Sequence, residues 1–459
     1  MDRRCFINLA ALSSLTVLAP RSGWCQQKRP NIVFIMADDL GYGDLGCYGS
    51  TKIHTPHLDQ MAREGLRFTQ FYAGSTVCAP SRCSLMTGLH TGHTYIRGNT
   101  EVQPEGQAPL PSDTVTLAKI LKNKGYTTGI IGKWGLGGPG SEGEPNRQGF
   151  DHWFGYLCQR QAHTFYPDHL WRNGERVELD GKTYSHDLMT DEALQFIEKN
   201  QEHPFFLYLP YTIPHAALQV PEDSIQPYRG TLGEEKAFPP GQHYAPQAEP
   251  KAAFAGMVSR LDRDIGRLRS LLQSLGLAEN TLIFFTSDNG PHKEGGHNPE
   301  EMDSNGPLRG LKRDLYEGGI RVPMLACWPG TVAPGTTSDH VGAFWDILPT
   351  CAELAGAPVP DGLDGLSIAA ELQGQSANQP QHAFLYWEFH EGGFKQAVRM
   401  GQWKAVRLAP NRPLELYDLE EDLTETTNVA NSYPDLVQAL TALMETARTD
   451  SALFPVKKK

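Results

Sequence analysis

Six stretches of this 459-residue chain carry residue types that together could bind a hard cation and an anionic ester. Asp38 and Asp39 stand side by side, and Asp288-Asn289 form a second pair far along the chain. All four offer oxygen donors, the set that suits calcium or magnesium and disfavours zinc, which prefers nitrogen and sulfur. Adjacent carboxylates at the end of an apolar run are costly unless a cation sits between them; the plainer alternative is a surface turn. Cys78 opens Cys78-Ala79-Pro80-Ser81-Arg82. Pro80 fixes the backbone just past the thiol, and Arg82 lies one helical turn on, where its planar fork can face the same point as Cys78. Lys133, in Gly132-Lys133-Trp134-Gly135-Leu136-Gly137, and Lys312, in Pro307-Leu308-Arg309-Gly310-Leu311-Lys312, are cations able to neutralise charge on a transferred group. His215, after Pro214, has the chemistry of a general acid. Any one of these basic residues alone would read as solvated surface; their company with the acid pairs changes that reading.

The elements that must position these side chains alternate between strand and helix. Residues 31–37 (NIVFIMA) form an apolar run without alternation, as a strand buried on both faces does, and end at Asp38. Residues 55–67 read as a helix, with Leu58, Met61 and Leu66 near helical spacing, feeding Cys78. Residues 114–124 read as an amphipathic helix with Val115, Leu117, Ile120 and Leu121 on one side, followed by a strand over 127–131 before Lys133. A helix over 187–199 leads to a strand over 205–209 before His215, and a long helix over 251–275 to a strand over 281–285 before Asp288. A strand over 322–327 and a helix over 341–354 follow. Such alternation predicts an α/β fold with a mainly parallel sheet covered by helices on both faces. Asp38-Asp39, Lys133, His215 and Asp288-Asn289 then fall at or just past strand carboxyl ends, the edge where open α/β sheets bind ligands.

Residues 394–400 and 403–408 can pair as antiparallel strands through a turn at Gly401-Gln402, and 434–448 read as a helix with Leu436, Leu440 and Leu443 on one face. The expected organisation is an export signal over 1–25, a catalytic domain over 28–375 and a small C-terminal α+β domain over 380–459. Arg3-Arg4 before the apolar run from Phe6 to Ala19 marks the signal, of twin-arginine or ordinary secretory type. That run is too short to span a bilayer, so no stable membrane insertion is expected, and the protein should be periplasmic or secreted. A net charge of −12 argues against nucleic acid as a partner. Of eight cysteines none shows zinc-type spacing, and buried free thiols are expected, with one disulfide open.

The chain resembles the type I, formylglycine-dependent sulfatases, of arylsulfatase-like kind. The resemblance rests on the Cys78–Arg82 motif continued to Thr87-Gly88, on Asp38-Asp39, on the Gly132–Gly137 segment, on Pro214-His215, and on Ser287-Asp288-Asn289-Gly290. It continues through Gly310 to Lys312 with Glu317–Pro323, and through Leu416-Tyr417-Asp418-Leu419. It implies an alkaline-phosphatase-like sandwich and hydrolysis of a sulfate ester. It further implies that Cys78 is oxidised to formylglycine by a maturation enzyme, and that calcium (or magnesium) sits on Asp38, Asp39, Asp288, Asn289 and residue 78. In the implied cycle a hydroxyl of hydrated residue 78 attacks sulfur, held by the metal and Arg82 with Lys133. His215 and Lys312 help the alcohol leave, and loss of a proton then frees sulfate. The expected substrate is a sulfated glycan; an aryl sulfate, a phosphodiester or phosphonate, and an inactive glycan-binding homologue are the alternatives. One departure stands out: the family's usual His two residues past the Lys is Gly135 here. His163 and His292 are candidates to take its part in the second step. The segment from Gln159 to Tyr166, with Arg160 and its aromatics, otherwise suits the leaving-group pocket.

Overall fold

The computed structural model describes residues 29–456. The expected export signal and the basic tail Lys457–Lys459 lie outside the described residues.

Among the described residues, fifteen strands are arranged in two sheets. In chain order they are β1 (Asn31–Ala37), β2 (Leu66–Tyr72), β3 (Thr127–Lys133), β4 (His152–Tyr156), β5 (His169–Arg172), β6 (Glu175–Glu178), β7 (Phe205–Pro210) and β8 (Thr281–Ser287). They continue as β9 (Arg321–Cys327), β10 (Thr336–Ser338), β11 (Gly342–Ala343), β12 (Leu385–Phe389), β13 (Lys395–Met400), β14 (Trp403–Arg407) and β15 (Glu415–Asp418). The large sheet runs β10-β2-β9-β8-β1-β7-β3-β4-β5-β6, with β11 also paired to β2. Its centre, β8-β1-β7-β3-β4, is parallel throughout. β9 runs antiparallel to β8 and to β2.

The central strands lack alternation because both faces are covered. Along β1, Val33, Ile35 and Ala37 enter the core beneath the long helix Pro250–Ser274 and helices α1 (Pro56–Glu64) and α4 (Ser185–Lys199). Ile32, Phe34 and Met36 enter the opposite core with α2 (Cys78–Thr87), α3 (Leu117–Asn123) and helix Ile347–Leu354. Each such fully buried aliphatic or Phe side chain is worth roughly 1.5–3 kcal/mol relative to exposure. The second sheet, β12-β13-β14-β15, is antiparallel, and β13 and β14 turn at Gly401, whose φ is 59°. One face packs on the large unit through Trp387, Trp345 and Tyr72; the other takes Leu440 and Met444 of the C-terminal helix Pro434–Thr446.

The architecture is the expected α/β class with a small antiparallel sheet, and several boundaries move. The helix expected over 55–67 stops at Glu64, and Leu66 opens β2, whose sequence LRFTQFY favours an extended chain. The helix expected over 114–124 begins at Leu117, capped by the Thr116 side chain, so Val115 lies outside it and is exposed. The helix expected over 341–354 is α-helical only from Ile347, because Gly342-Ala343 pair with β2 first. β4, β5 and β6 were not expected. All six cysteines among the described residues are free. No helix among the described residues is long and apolar enough to cross a membrane.

Candidate active site

The parallel centre brings the carboxyl ends of β1, β3, β7 and β8 to one edge. Asp38-Asp39 follow β1, Lys133 is the last residue of β3, His215 lies five residues past β7, and Asp288-Asn289 follow β8. Because β9 is antiparallel, the chain enters it from this same edge, which brings Lys312 there too. The strand expected to end at Ile131 continues to Lys133, so that lysine is fixed by sheet hydrogen bonding.

Asp39 has φ 64°, a left-handed conformation that few non-glycine residues adopt, Asp among the more tolerant. A regular strand would send successive side chains to opposite faces. The turn at Asp39 instead leaves both carboxylates at one centre, where ligand atoms of Asp38, Asp39, Cys78 and His215 lie within 4.8 Å of one another.

Cys78 is the first residue of α2, and Pro80 sits in the first turn, where its missing N–H leaves no bond unmade. Cys78 Sγ lies 3.4 Å from Asp38 Oδ1 and 3.4 Å from Lys133 Nζ. Burial and the Asp38 charge push its thiol well above the ordinary range. Lys133 Nζ donates to Asp38 Oδ2 at 2.7 Å. Arg82 is fully buried; it donates to Asp288 Oδ2 at 2.8 Å and to Lys133 O at 2.6 Å, and lies 3.6 Å from Asp38 Oδ2. Its guanidinium braces the acidic residues rather than standing free as an anion fork.

On the other side, Lys312 Nζ donates to Asp39 Oδ2 at 2.7 Å and lies 3.0 Å from His215 Nε2. Burial opposes the Lys312 charge, but Asp39 outweighs it and holds the ammonium well above its usual range. Burial and the Lys312 charge hold His215 well below its usual range. His215 Nδ1 faces Ala216 O, so in the neutral ring Nδ1 donates and Nε2 accepts. Asn289 Nδ2 donates to Asp39 Oδ1 at 2.7 Å and to Gly290 O at 2.9 Å, while its Oδ1 is buried without a partner. Asp288 Oδ1 accepts the Asp39 N–H at 3.0 Å. Burial and the Asp38 charge push the Asp288 carboxyl up to about 6. Three carboxylates and an orphaned amide oxygen form a hard-donor set that fits calcium or magnesium.

The remaining expected residues divide. His163 stacks on His215, ring centroids 4.3 Å apart, with its Nδ1 buried and unpartnered. His292 lies behind His215, and both its nitrogens are committed, Nε2 at 3.2 Å from Pro214 O and Nδ1 accepting Glu294 N–H at 2.9 Å. It positions the His215 loop. Arg160 is a half-exposed rim residue held by Glu101 at 2.7 Å and Pro104 O at 3.2 Å. The site also includes residues that the sequence reading missed. Tyr244 lies 5.6 Å from His163 and 6.1 Å from His215 between ring centroids and donates to Glu294, which also binds Arg313. Tyr244 belongs to a Pro- and Gly-rich loop without periodicity; its only signal is the adjacent pair His243-Tyr244.

A buried nucleophile position, a hard-metal donor set and three cations at the ligand edge of an α/β sheet define a hydrolase of anionic esters. The sulfatase family model matches residues 30–357, and a model described as N-sulphoglucosamine sulphohydrolase, C-terminal, matches residues 311–450. The chain is 34% identical to human arylsulfatase A over 503 residues, covering 95% of this chain and 91% of that one. It is 34% identical to N-acetylgalactosamine-6-sulfatase of Mus musculus, covering 86% of this chain and 74% of that one. The solved structure of Ps i-CgsB in complex with k-i-k-neocarrahexaose matches with a TM-score of 0.78 at 32% identity, covering 91% of this chain and 92% of that one. The chain belongs to the sulfatase family and is a sulfuric ester hydrolase.

Proposed function

We propose that the protein removes sulfate from a sulfated carbohydrate, using formylglycine made from Cys78 and one calcium ion. The observation that carries this reading is the position of residue 78, with Sγ 3.4 Å from both Asp38 Oδ1 and Lys133 Nζ. A relative named N-acetylgalactosamine-6-sulfatase and a neighbour solved in complex with k-i-k-neocarrahexaose support the carbohydrate.

Asp38, Asp39, Asp288 and the free Oδ1 of Asn289 would hold the ion, magnesium sharing the same donor preference. A bound ion supplies a Lewis acid for the sulfate oxygens and lowers the pKa of a neighbouring hydroxyl. Converted residue 78 supplies, as its hydrate, the attacking hydroxyl. The other roles belong to the chain's own side chains. Lys133 faces residue 78 and neutralises charge on the sulfuryl oxygens. Arg82 fixes Asp288 and Lys133 against one another. Lys312 carries the proton nearest the leaving oxygen and delivers it there, while neutral His215 Nε2 accepts a hydrogen bond from the ammonium and orients it. His163, neutral and with Nδ1 unpartnered, accepts the proton released when sulfate departs.

Residues 28–375 form the catalytic unit and 380–459 the C-terminal one. Residues 1–25 direct export, which places the mature enzyme in the periplasm or outside the cell after a formylglycine-generating enzyme has acted.

The test is sulfate release from a panel of defined sulfated mono- and disaccharides by matured protein with calcium. It runs beside Cys78→Ser, aryl sulfate and phosphate esters, with mass spectrometry of the Cys78 peptide. Release from one regio-isomer, lost in Cys78→Ser, is expected. A converted Cys78 with no release from any sugar, but turnover of phosphate esters, would replace this reading with a phosphoester hydrolase.

A further inference from the structure

Gln159 lies three residues past the end of β4, whose Tyr156 pairs with Lys133 of β3. Its side chain lies across Gly135, two residues beyond Lys133. Gly135 has φ 80°, and a Cβ at that position would overlap Gln159 Nε2. Gln159 is only 7% exposed, yet both its Nε2 and its Oε1 are buried without a partner. No other side-chain amide among the described residues has both atoms in that state. Other buried glutamines show what a structural amide does here. Gln148 Nε2 donates to Leu110 O, Pro111 O and Glu142 O, and Gln396 Nε2 donates to Tyr386 Oη and Met444 O. A carboxamide has two donor hydrogens and an acceptor oxygen, and with both ends unmet Gln159 has hydrogen bonds left to give to a water or a ligand.

The surroundings specify that ligand. Lys133 is two residues from Gly135 and points at Cys78, and His163, four residues beyond Gln159, stacks on His215. The ligand that Lys133 attracts is an anion with several acceptor oxygens, so the group of Gln159 that meets it is the N–H donor. Where the resemblance expects an imidazole at residue 135, this chain has cleared the position and filled it from a different segment with a group that never titrates.

We propose that Gln159 is a sulfate-contacting residue, its Nε2 donating to an oxygen of the bound sulfate group beside Lys133. This rests on the sulfatase reading. Gln159 and Gly135 act as one exchange: the glutamine reaches the anion only because residue 135 has no side chain.

The test uses the full chain in two forms. Unconverted Cys78→Ser protein is titrated with inorganic sulfate by calorimetry, and matured protein is assayed for sulfate release. Gln159→Leu fills the same space without the amide. The expected result is at least a tenfold weaker sulfate Kd and a lower kcat/KM, with Tm unchanged or raised because the unmet amide is gone. Gly135→His alone should lose both stability and sulfate affinity through overlap with Gln159. Gly135→His with Gln159→Ala should recover the part of that loss due to overlap, the left-handed backbone strain at residue 135 remaining. An unchanged sulfate Kd and unchanged kcat/KM in Gln159→Leu overturn the inference and leave the sulfatase reading standing. A fall in Tm with sulfate affinity intact assigns Gln159 to packing and also overturns it. No sulfate release by matured wild-type protein overturns both.

Discussion

Lys312 Nζ lies 3.0 Å from His215 Nε2 and 2.7 Å from Asp39 Oδ2, so one ammonium joins the loop after β7 to the tip of β1. His215 Nδ1 is taken by Ala216 O, which leaves Nε2 as the acceptor in this pair. On the proposed mechanism the proton for the leaving group therefore starts on Lys312. Lys312→Met should lower kcat for a sulfated sugar by about 10²–10⁴, the usual size of a general-acid contribution. An aryl sulfate with an acidic phenol needs little proton assistance and should lose far less. The ratio of the two losses is the measurement; equal losses would assign Lys312 to anion binding alone.

The orphaned Oδ1 of Asn289 gives a metal prediction independent of turnover. A ligand that binds only the folded state stabilises it by about 2.7 kcal/mol at a hundred times its Kd. Chelator-treated wild-type protein should gain Tm on adding calcium. Asn289→Leu keeps the volume and removes the oxygen, and should lose most of that gain. An undiminished calcium-dependent rise in Asn289→Leu would remove Asn289 from the ligand set.

β1, β3, β7 and β8 were legible in the sequence because strands covered on both faces read as unbroken apolar runs, and with them came the placement of Asp38, Lys133, His215 and Asp288. The flanking strands were not. β5 and β6 carry His, Arg and Glu, β4 is only five residues long and interrupted by Gly155, and β2, partly exposed along its length, reads as the continuation of α1. Arg82 was legible as a site residue from its spacing to Cys78, yet its partners Asp288 and Lys133 O come from distant strands that only the sheet order brings together. Gln159 had no signal of its own, since its role depends on what Gly135 leaves out.

The close passage of β3 past its neighbours gives a packing prediction. Gly132 has φ 138°, and a Cβ there would strike Pro210 O of β7; Gly155 of β4, its register partner, has φ 141° and faces Gly132 O. Gly132→Ala should destabilise by at least about 1–3 kcal/mol from backbone strain alone. Because residue 132 immediately precedes Lys133, activity should fall beyond what the unfolded fraction explains. Urea midpoints and kcat at saturating calcium would show it, and wild-type stability in the variant would mean that β3 shifts freely.

The last prediction concerns acid and the junction between the two sheets. Glu388, fully buried on β12, meets Arg97 at 2.8 Å, Arg448 at 2.7 Å and His390 at 2.9 Å. Burial alone would raise its carboxyl, but these three partners outweigh it and hold the group at about 2 against an ordinary 4.5. A depressed carboxylate contributes stability that is present above 4.5 and is lost as pH falls from there through about 2. Each tenfold change in proton affinity between the folded and unfolded chain is worth about 1.4 kcal/mol, so the contribution is on the order of 3 kcal/mol. The consequence reaches the active site, because Arg97 anchors the segment whose Asn99 Oδ1 accepts the Ala79 N–H at 3.2 Å, in the first turn beside Cys78. Glu388→Gln should be destabilised by several kcal/mol at neutral pH, since two arginines lose their charge partner. Its stability should then fall less steeply than wild type between pH 4.5 and 2. Chemical denaturation across that window measures both slopes. Parallel slopes would mean that Glu388 does not link this junction to acid stability.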